Sequence, residues 1–134
     1  MAASIGIALS GLTAQTRRLD ASASNVANVR STGAVPKTDG AAEGKRAPYQ
    51  PLAVAQTDAN PGTRATFTLI TPAYLQEYAP DDSAANGDGM VAAPNVDLAT
   101  ERVNQMAASR AYGANIAVVR TQDEMLTSLL DSKA

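Results

Sequence analysis

The chain has 134 residues, room for one domain or one elongated subunit. Much of its 45% hydrophobic content is alanine, aromatics are 4% and Phe67 is the single phenylalanine, so any core buries little area and an isolated monomer is marginally stable. The absence of cysteine and histidine excludes disulfides, thiol chemistry, ordinary zinc sites and imidazole triads, and a net charge of −2 argues against a general nucleic-acid binder.

The first 14 residues, MAASIGIALSGLTA, superficially resemble a signal peptide. They carry no basic n-region, since Arg17 is the first basic residue, and Ser4, Gly6, Ser10 and Gly11 dilute the apolar run. Cleavage is therefore not expected. Ala3 to Val29 reads instead as a helix. Ile5, Leu9, Leu12, Thr16, Leu19, Ala23 and Val26 alternate four and three apart, a heptad seam broken only by Thr16. Gly6 and Gly11 weaken this helix by roughly 1 kcal/mol each, so it needs packing to persist. Asn28, Ser31, Thr32 and Gly33 supply a stop. The seam alone fits a coiled-coil role and an ordinary amphipathic helix equally well.

Ala34 to Ala47 reads as a loop, with Pro36, Gly40 and Gly44, and Lys37, Lys45 and Arg46 on a solvated surface. Tyr49 to Asp58 and Thr63 to Thr71 read as strands, with Leu52 and Val54 alternating in the first and Phe67 and Leu69 in the second. Asn60-Pro61-Gly62 between them is a turn, since proline fixes φ and glycine permits positive φ. Pro51 and Pro72 limit the strands to short lengths or edges. Thr71 to Pro94 reads as mostly irregular, with one short strand at Met90 to Ala92. Asn86-Gly87-Asp88-Gly89 lacks the acidic spacing and closing glutamate of a calcium loop and reads as a tight turn.

Asn95 to Asp131 reads as a long helix, free of proline after Pro94 and interrupted by one glycine, Gly113. Asp97 is its expected N-cap, and Asp97 and Glu101 place negative charge at its positive end. Val103, Ala107, Ala111, Ala114, Val118, Met125 and Leu129 form one line, and Ile116, Val119, Leu126 and Leu130 a second beside it. Such a helix runs roughly 55 Å at about 1.5 Å per residue. A compact chain of this length has a radius of gyration of only about 14 Å. The helix therefore projects, and its apolar face needs a neighbour.

The expected fold class is α+β. Long N- and C-terminal helices form an antiparallel, coiled-coil-like pair, with a small β-hairpin insert and extended loops. Three segments follow: residues 1–33, 34–94 and 95–134. No catalytic, cofactor or metal site is expected, because no carboxylate pair has recognisable partners and no glycine loop leads from a strand into a helix. The residues expected to pack subunits together are Ile5, Leu9, Leu12, Leu19 and Val26 on the first helix. On the last they are Val103, Val118, Met125, Leu126, Leu129 and Leu130.

The two ends also resemble a known family, the axial proteins of the bacterial flagellum. The N-terminal match is ALSGLTAQTRRLDASASNVANVRSTG, Ala8 to Gly33, with Asn25-Val26-Ala27-Asn28 and then Thr32-Gly33 as the NxAN…TxG signature of rod and hook proteins. The C-terminal match is Val91 to Asp97, including Pro94-Asn95, followed by Ser109-Arg110-Ala111-Tyr112, Ala114-Asn115 and Asp123-Glu124-Met125-Leu126. PNVD combined with SRAYxAN favours the proximal rod over the hook or distal rod. Gly113 departs from the family's usual glutamate or glutamine, and Asp81 to Asn86 lacks its histidine-proline-aspartate run.

The resemblance implies a role without turnover. Such proteins are exported unfolded through the flagellar type III apparatus without a cleaved signal. They assemble helically in the periplasmic rod, a drive shaft for motility between the membrane ring and the distal rod. Implied partners are other copies, other rod proteins, and membrane-ring and export-apparatus proteins, with no nucleic acid or small-molecule substrate. The terminal helices would line the tube's interior and the β insert would sit outside. A small helical adaptor docking one protein partner by helix-in-groove contact is the rival reading from the residues alone. Open-ended against closed, stoichiometric association separates the two.

Overall fold

The computed structural model describes residues 2–36 and 45–132. The elements are α1 (Ala2–Ala27), β1 (Leu52–Asp58), β2 (Thr63–Leu69), β3 (Tyr74–Tyr78), β4 (Met90–Pro94) and α2 (Leu98–Asp131). The fold is α+β: two long helices packed on each other, with small antiparallel hairpins between them in sequence. Asn25 of α1 meets Glu101 of α2, and Gly11 meets Asn115, so a step down one helix matches a step up the other. The helices are antiparallel.

Helix ends differ from the sequence reading for local reasons. α1 stops at Ala27 rather than Val29. Asn28 Nδ2 donates to the Ser24 carbonyl at 2.9 Å and its Oδ1 accepts from Ser31 Oγ at 3.1 Å, a side-chain alternative to another helical turn. α2 starts at Leu98 behind Asp97, whose carboxylate accepts from Ala99 N and Thr100 Oγ1, both at 2.9 Å.

β1 and β2 form a hairpin in which Leu52 faces Leu69 and Val54 faces Phe67. The first strand starts at Leu52, not Tyr49, because Pro51 has no N–H to donate; its carbonyl instead accepts from Ile70 N at 3.0 Å. The second ends at Leu69, short of Thr71. At the turn, Gly62 has φ 114°, a backbone region that L side chains avoid, and it sits against Ser10 of α1. Ser10 Oγ accepts from Thr63 N at 3.1 Å, Arg17 donates to the Ala65 carbonyl, and Arg18 Nη2 donates to Gln56 Oε1 at 3.0 Å. The hairpin thus lies along α1.

The largest correction concerns Thr71 to Pro94. Tyr74–Tyr78 is a strand, paired antiparallel with Met90–Pro94, and the two make a second hairpin. Tyr74-Leu75-Gln76-Glu77-Tyr78 shows no apolar alternation because all but Tyr74 are exposed. The pairing comes from the partner: Val91 and Ala92 are fully buried, and Ala92 also exchanges backbone hydrogen bonds with Gly33 at 3.0 and 2.9 Å. The Asn86–Gly89 turn is present, with Asn86 Oδ1 accepting from Asp88 N and Met90 N, both at 2.9 Å. Of the Ala34–Ala47 loop, Lys37, Gly40 and Gly44 lie outside the described residues.

Among the described residues, the buried apolar side chains are alanines apart from Val91 and the prolines Pro51 and Pro94. That is the thin core the composition implies.

Candidate assembly surfaces

Asn25 is the best-connected polar side chain of the fold. It is 1% exposed. Its Nδ2 donates to Leu52 O at 2.8 Å and Glu101 Oε1 at 2.7 Å, while its Oδ1 accepts from Leu52 N at 2.8 Å and Tyr49 OH at 3.1 Å. Two donors and two acceptor positions are used, the full complement of the amide. Tyr49 OH also meets Ser24 Oγ at 2.8 Å, and Ser22 Oγ donates to the Glu101 carbonyl at 3.3 Å. One side chain therefore ties α1, α2 and the first hairpin at a single point. Glu101, which by sequence is a first-turn acid facing the helix dipole, has its carboxylate inside this joint.

The other signature residues brace the same end. Thr32 Oγ1 donates to Asp82 Oδ2 at 2.6 Å, and Arg46 Nε donates to Thr32 O at 2.9 Å. Thr32, then the Ala84 N–H, hold the Asp82 carboxyl below the usual range, helped by the charge of Arg46. Gly33 has the backbone of Ala47 and Pro48 where a Cβ would stand. Pro94 is buried, and Asn95 Nδ2 donates to Pro72 O at 2.9 Å.

Between the helices the contact stripe is small and polar. On α1 it runs through Ala8, Gly11, Gln15, Ser22 and Asn25; on α2 through Glu101, Gln105, Ala108, Asn115 and Gln122. A Cβ on Gly11 would stand 2.7 Å from Asn115 Oδ1, so the missing side chain lets the helices approach. Asn115 Nδ2 is held by the Ala111 carbonyl at 2.9 Å. Among the described residues, Gln15 Oε1 and Gln122 Oε1 are buried without a hydrogen-bond partner, each a cost of about 1–3 kcal/mol.

Over the length where the two helices face each other, the bulky residues therefore flank this stripe rather than fill it. On α1, Leu9 and Val26 are exposed and Ile5, Leu12 and Leu19 half-buried. On α2, Val103, Val118, Met125, Leu129 and Leu130 are exposed, Leu130 by 72%, and Leu126 is half-buried. Sequence reasoning missed the exposed Ile7, Leu75, Tyr78, Leu98 and Met106. Those on the helices fall off the heptad lines, and those on the second hairpin lie in a strand that shows no periodicity. Of the remaining motif residues, Arg110 lines a groove between the helices and Tyr112 is exposed.

A helix pair that keeps small and polar groups inside and leaves large apolar groups exposed presents the kind of surface that marks an interaction site. Comparison with known proteins is specific on this point. Residues 5–34 match the family described as flagella basal body rod protein, and residues 88–132 match the flagellar basal body rod FlgEFG protein C-terminal family. The flagellar basal-body rod protein FlgC of Salmonella typhimurium is 39% identical over 132 residues, covering 92% of this chain and 91% of that protein. FlgC of Agrobacterium fabrum is 32% identical, covering 98% and 94%, and FlgC of Borreliella burgdorferi 35%, covering 95% and 93%. The chain belongs to the flagellar basal-body rod protein family. Its similarity along nearly the whole length is to the FlgC proteins.

Proposed function

We propose that the chain is a subunit of the proximal rod, assembling helically with other copies and other rod proteins into the drive shaft that transmits torque and surrounds the export channel. It contacts membrane-ring and export-apparatus proteins, acts on the periplasmic side and is exported without a cleaved signal peptide. Residues 1–33 and 95–134 serve as axial segments, and residues 34–94 carry the contacts to the surroundings. No catalysis is involved.

The observation that carries this reading is the inverted helix pair: Leu9, Val26, Val103, Val118, Met125, Leu129 and Leu130 are exposed while alanine, glutamine and asparagine occupy the seam. Each large side chain covered on assembly contributes about 1.5–3 kcal/mol. Ile5, Leu12, Leu19 and Leu126, half-buried in the single chain, complete the same surfaces.

The test is genetic. In a strain lacking its own proximal-rod protein, Met125→Asp with Leu129→Asp leaves the protein exported and the rod incomplete. Protein retained in the cytoplasm would assign this face to export instead. Complete, motile flagella would show that it is not an assembly surface.

A further inference from the structure

The contact stripe of α2 continues past its partner. Asn25 opposite Glu101 and Gly11 opposite Asn115 fix a register in which Ala2, the first residue of α1, falls opposite Glu124. The stripe Glu101, Ala108, Asn115, Gln122 runs on at seven-residue spacing to Leu129, with Met125 and Leu126 beside it. Beyond Glu124 it runs past the first described residue of α1, and there it turns from small and polar to bulky and apolar. Residues 121–132 hold three acids, Asp123, Glu124 and Asp131, and no base.

A complementary surface lies on the same chain. A groove of ≈ 500 Å³ between α1 and α2 has Leu19, Ala23 and Met106 among its walls and the guanidinium-bearing Arg102 and Arg110 beside them, with no carboxylate residue lining it among the described residues. Its size is within the roughly 300–1,000 Å³ of ordinary binding pockets. Residues 106 and 129 are separated by roughly 35 Å of helix at about 1.5 Å per residue, so the tip of α2 does not reach the groove of its own chain.

We infer that the acidic, apolar tip of α2 from one copy seats in the α1–α2 groove of a second copy, its Leu129 against Leu19 and Met106, its acids against Arg102 and Arg110. The occupant is a second copy because both halves of the match, apolar and charged, are on this chain, and the tip continues the face that already binds α1. Tip and groove are different surfaces, so the contact is head-to-tail and leaves a free tip and a free groove at each step, the condition for an open row rather than a closed dimer. This inference rests on the rod-subunit reading and adds to it which surfaces meet.

The chain has no cysteine, so introduced thiols report the contact alone. Met106→Cys and Leu129→Cys variants are co-expressed, basal bodies isolated, oxidised and run on a non-reducing gel. A disulfide-linked dimer is expected only when both variants are present, and a ladder from the double variant. Arg102→Glu with Arg110→Glu, which faces acids with acids, reduces the cross-link at least about tenfold, and Asp123→Arg with Glu124→Arg restores it. Basal bodies containing both cysteine variants without the mixed dimer would overturn the contact and leave the rod-subunit reading standing. So would Leu129→Cys joining to itself as efficiently as to Met106→Cys, since that is a tip-to-tip contact. Absence of the unmodified chain from basal bodies would remove both.

Discussion

The side-chain amide of Asn25 and the carboxylate of Glu101 meet at 2.7 Å in the interior, one from each long helix. The same amide closes on both backbone groups of Leu52, where β1 begins. Position 25 thus sets the docking of both helices and the hairpin at once. A buried amide with every group used is costly to disturb, because each partner left behind is itself buried.

Asn25→Ala is expected to lower unfolding stability by at least about 3 kcal/mol, since it strands the Leu52 N–H and carbonyl and removes a donor from Glu101. Asn25→Asp is worse, placing two carboxylates together, and Glu101→Gln partly restores it by supplying a donor. Urea unfolding of the single and double variants measures this. An unchanged midpoint for Asn25→Ala would show that the joint does not hold the helices.

Glycines at two helix positions should respond oppositely to substitution. None of the described residues lies within 4 Å of a Cβ built on Gly113, so Gly113→Ala stabilises α2 by about 1 kcal/mol through helix propensity alone. Gly11→Leu drives into Asn115 and destabilises the pair by about 1–3 kcal/mol. Asn115→Ala makes room and recovers part of that loss. Thermal unfolding followed by circular dichroism separates these effects. Stabilisation by Gly11→Leu would mean that the helices do not approach there.

Acid should loosen the α2 cap and the Thr32–Asp82 brace together. Thr100 and the Ala99 N–H hold Asp97 below the usual carboxylate range, as Thr32 and the Ala84 N–H do for Asp82. A carboxyl whose folded pKa is depressed contributes stability that is complete above its unfolded pKa, about 3.9. That contribution is lost as pH falls through the lower folded value. Stability from these groups is therefore flat near neutrality and falls below about pH 4. Asp97→Asn, still a good cap, removes the Asp97 share of that fall while keeping the helix start. An unaltered acid profile in Asp97→Asn would show that other groups set it.

Amide exchange in the dilute, proven monomer should be graded along the helices. Slow exchange is expected near Ser22–Asn25 and Glu101–Ala108, where the joint and first hairpin add partners. Fast exchange is expected over Met125–Asp131, where α2 runs past the first described residue of α1 and Met125, Leu129 and Leu130 are exposed. Uniform strong protection from Val103 to Leu130 would contradict this gradient and show that the α2 tip is stable without a neighbour.

The residues themselves determined the two helices, the Asp97 cap, the first hairpin with its Asn60-Pro61-Gly62 turn, and the alanine-dominated core. Each depends on local propensity or on a period a few residues long. The NxAN…TxG and PNVD…SRAYxAN patterns likewise pointed to the rod family before any packing was known. Tertiary structure alone decided which helical stripe faces inward. Heptad spacing identifies the bulky lines of Leu9, Val118 and Leu129 but not what covers them, and here Gly11, Asn115, Ser22 and Asn25 win the inner face. Small residues let the backbones approach, and the Asn25 amide satisfies groups of β1, of α2 and of Tyr49 at one point. Tyr74–Tyr78 was illegible for a related reason: an exposed strand has no burial period, and it forms because the buried Val91-Ala92 segment of the next strand offers its backbone as a partner.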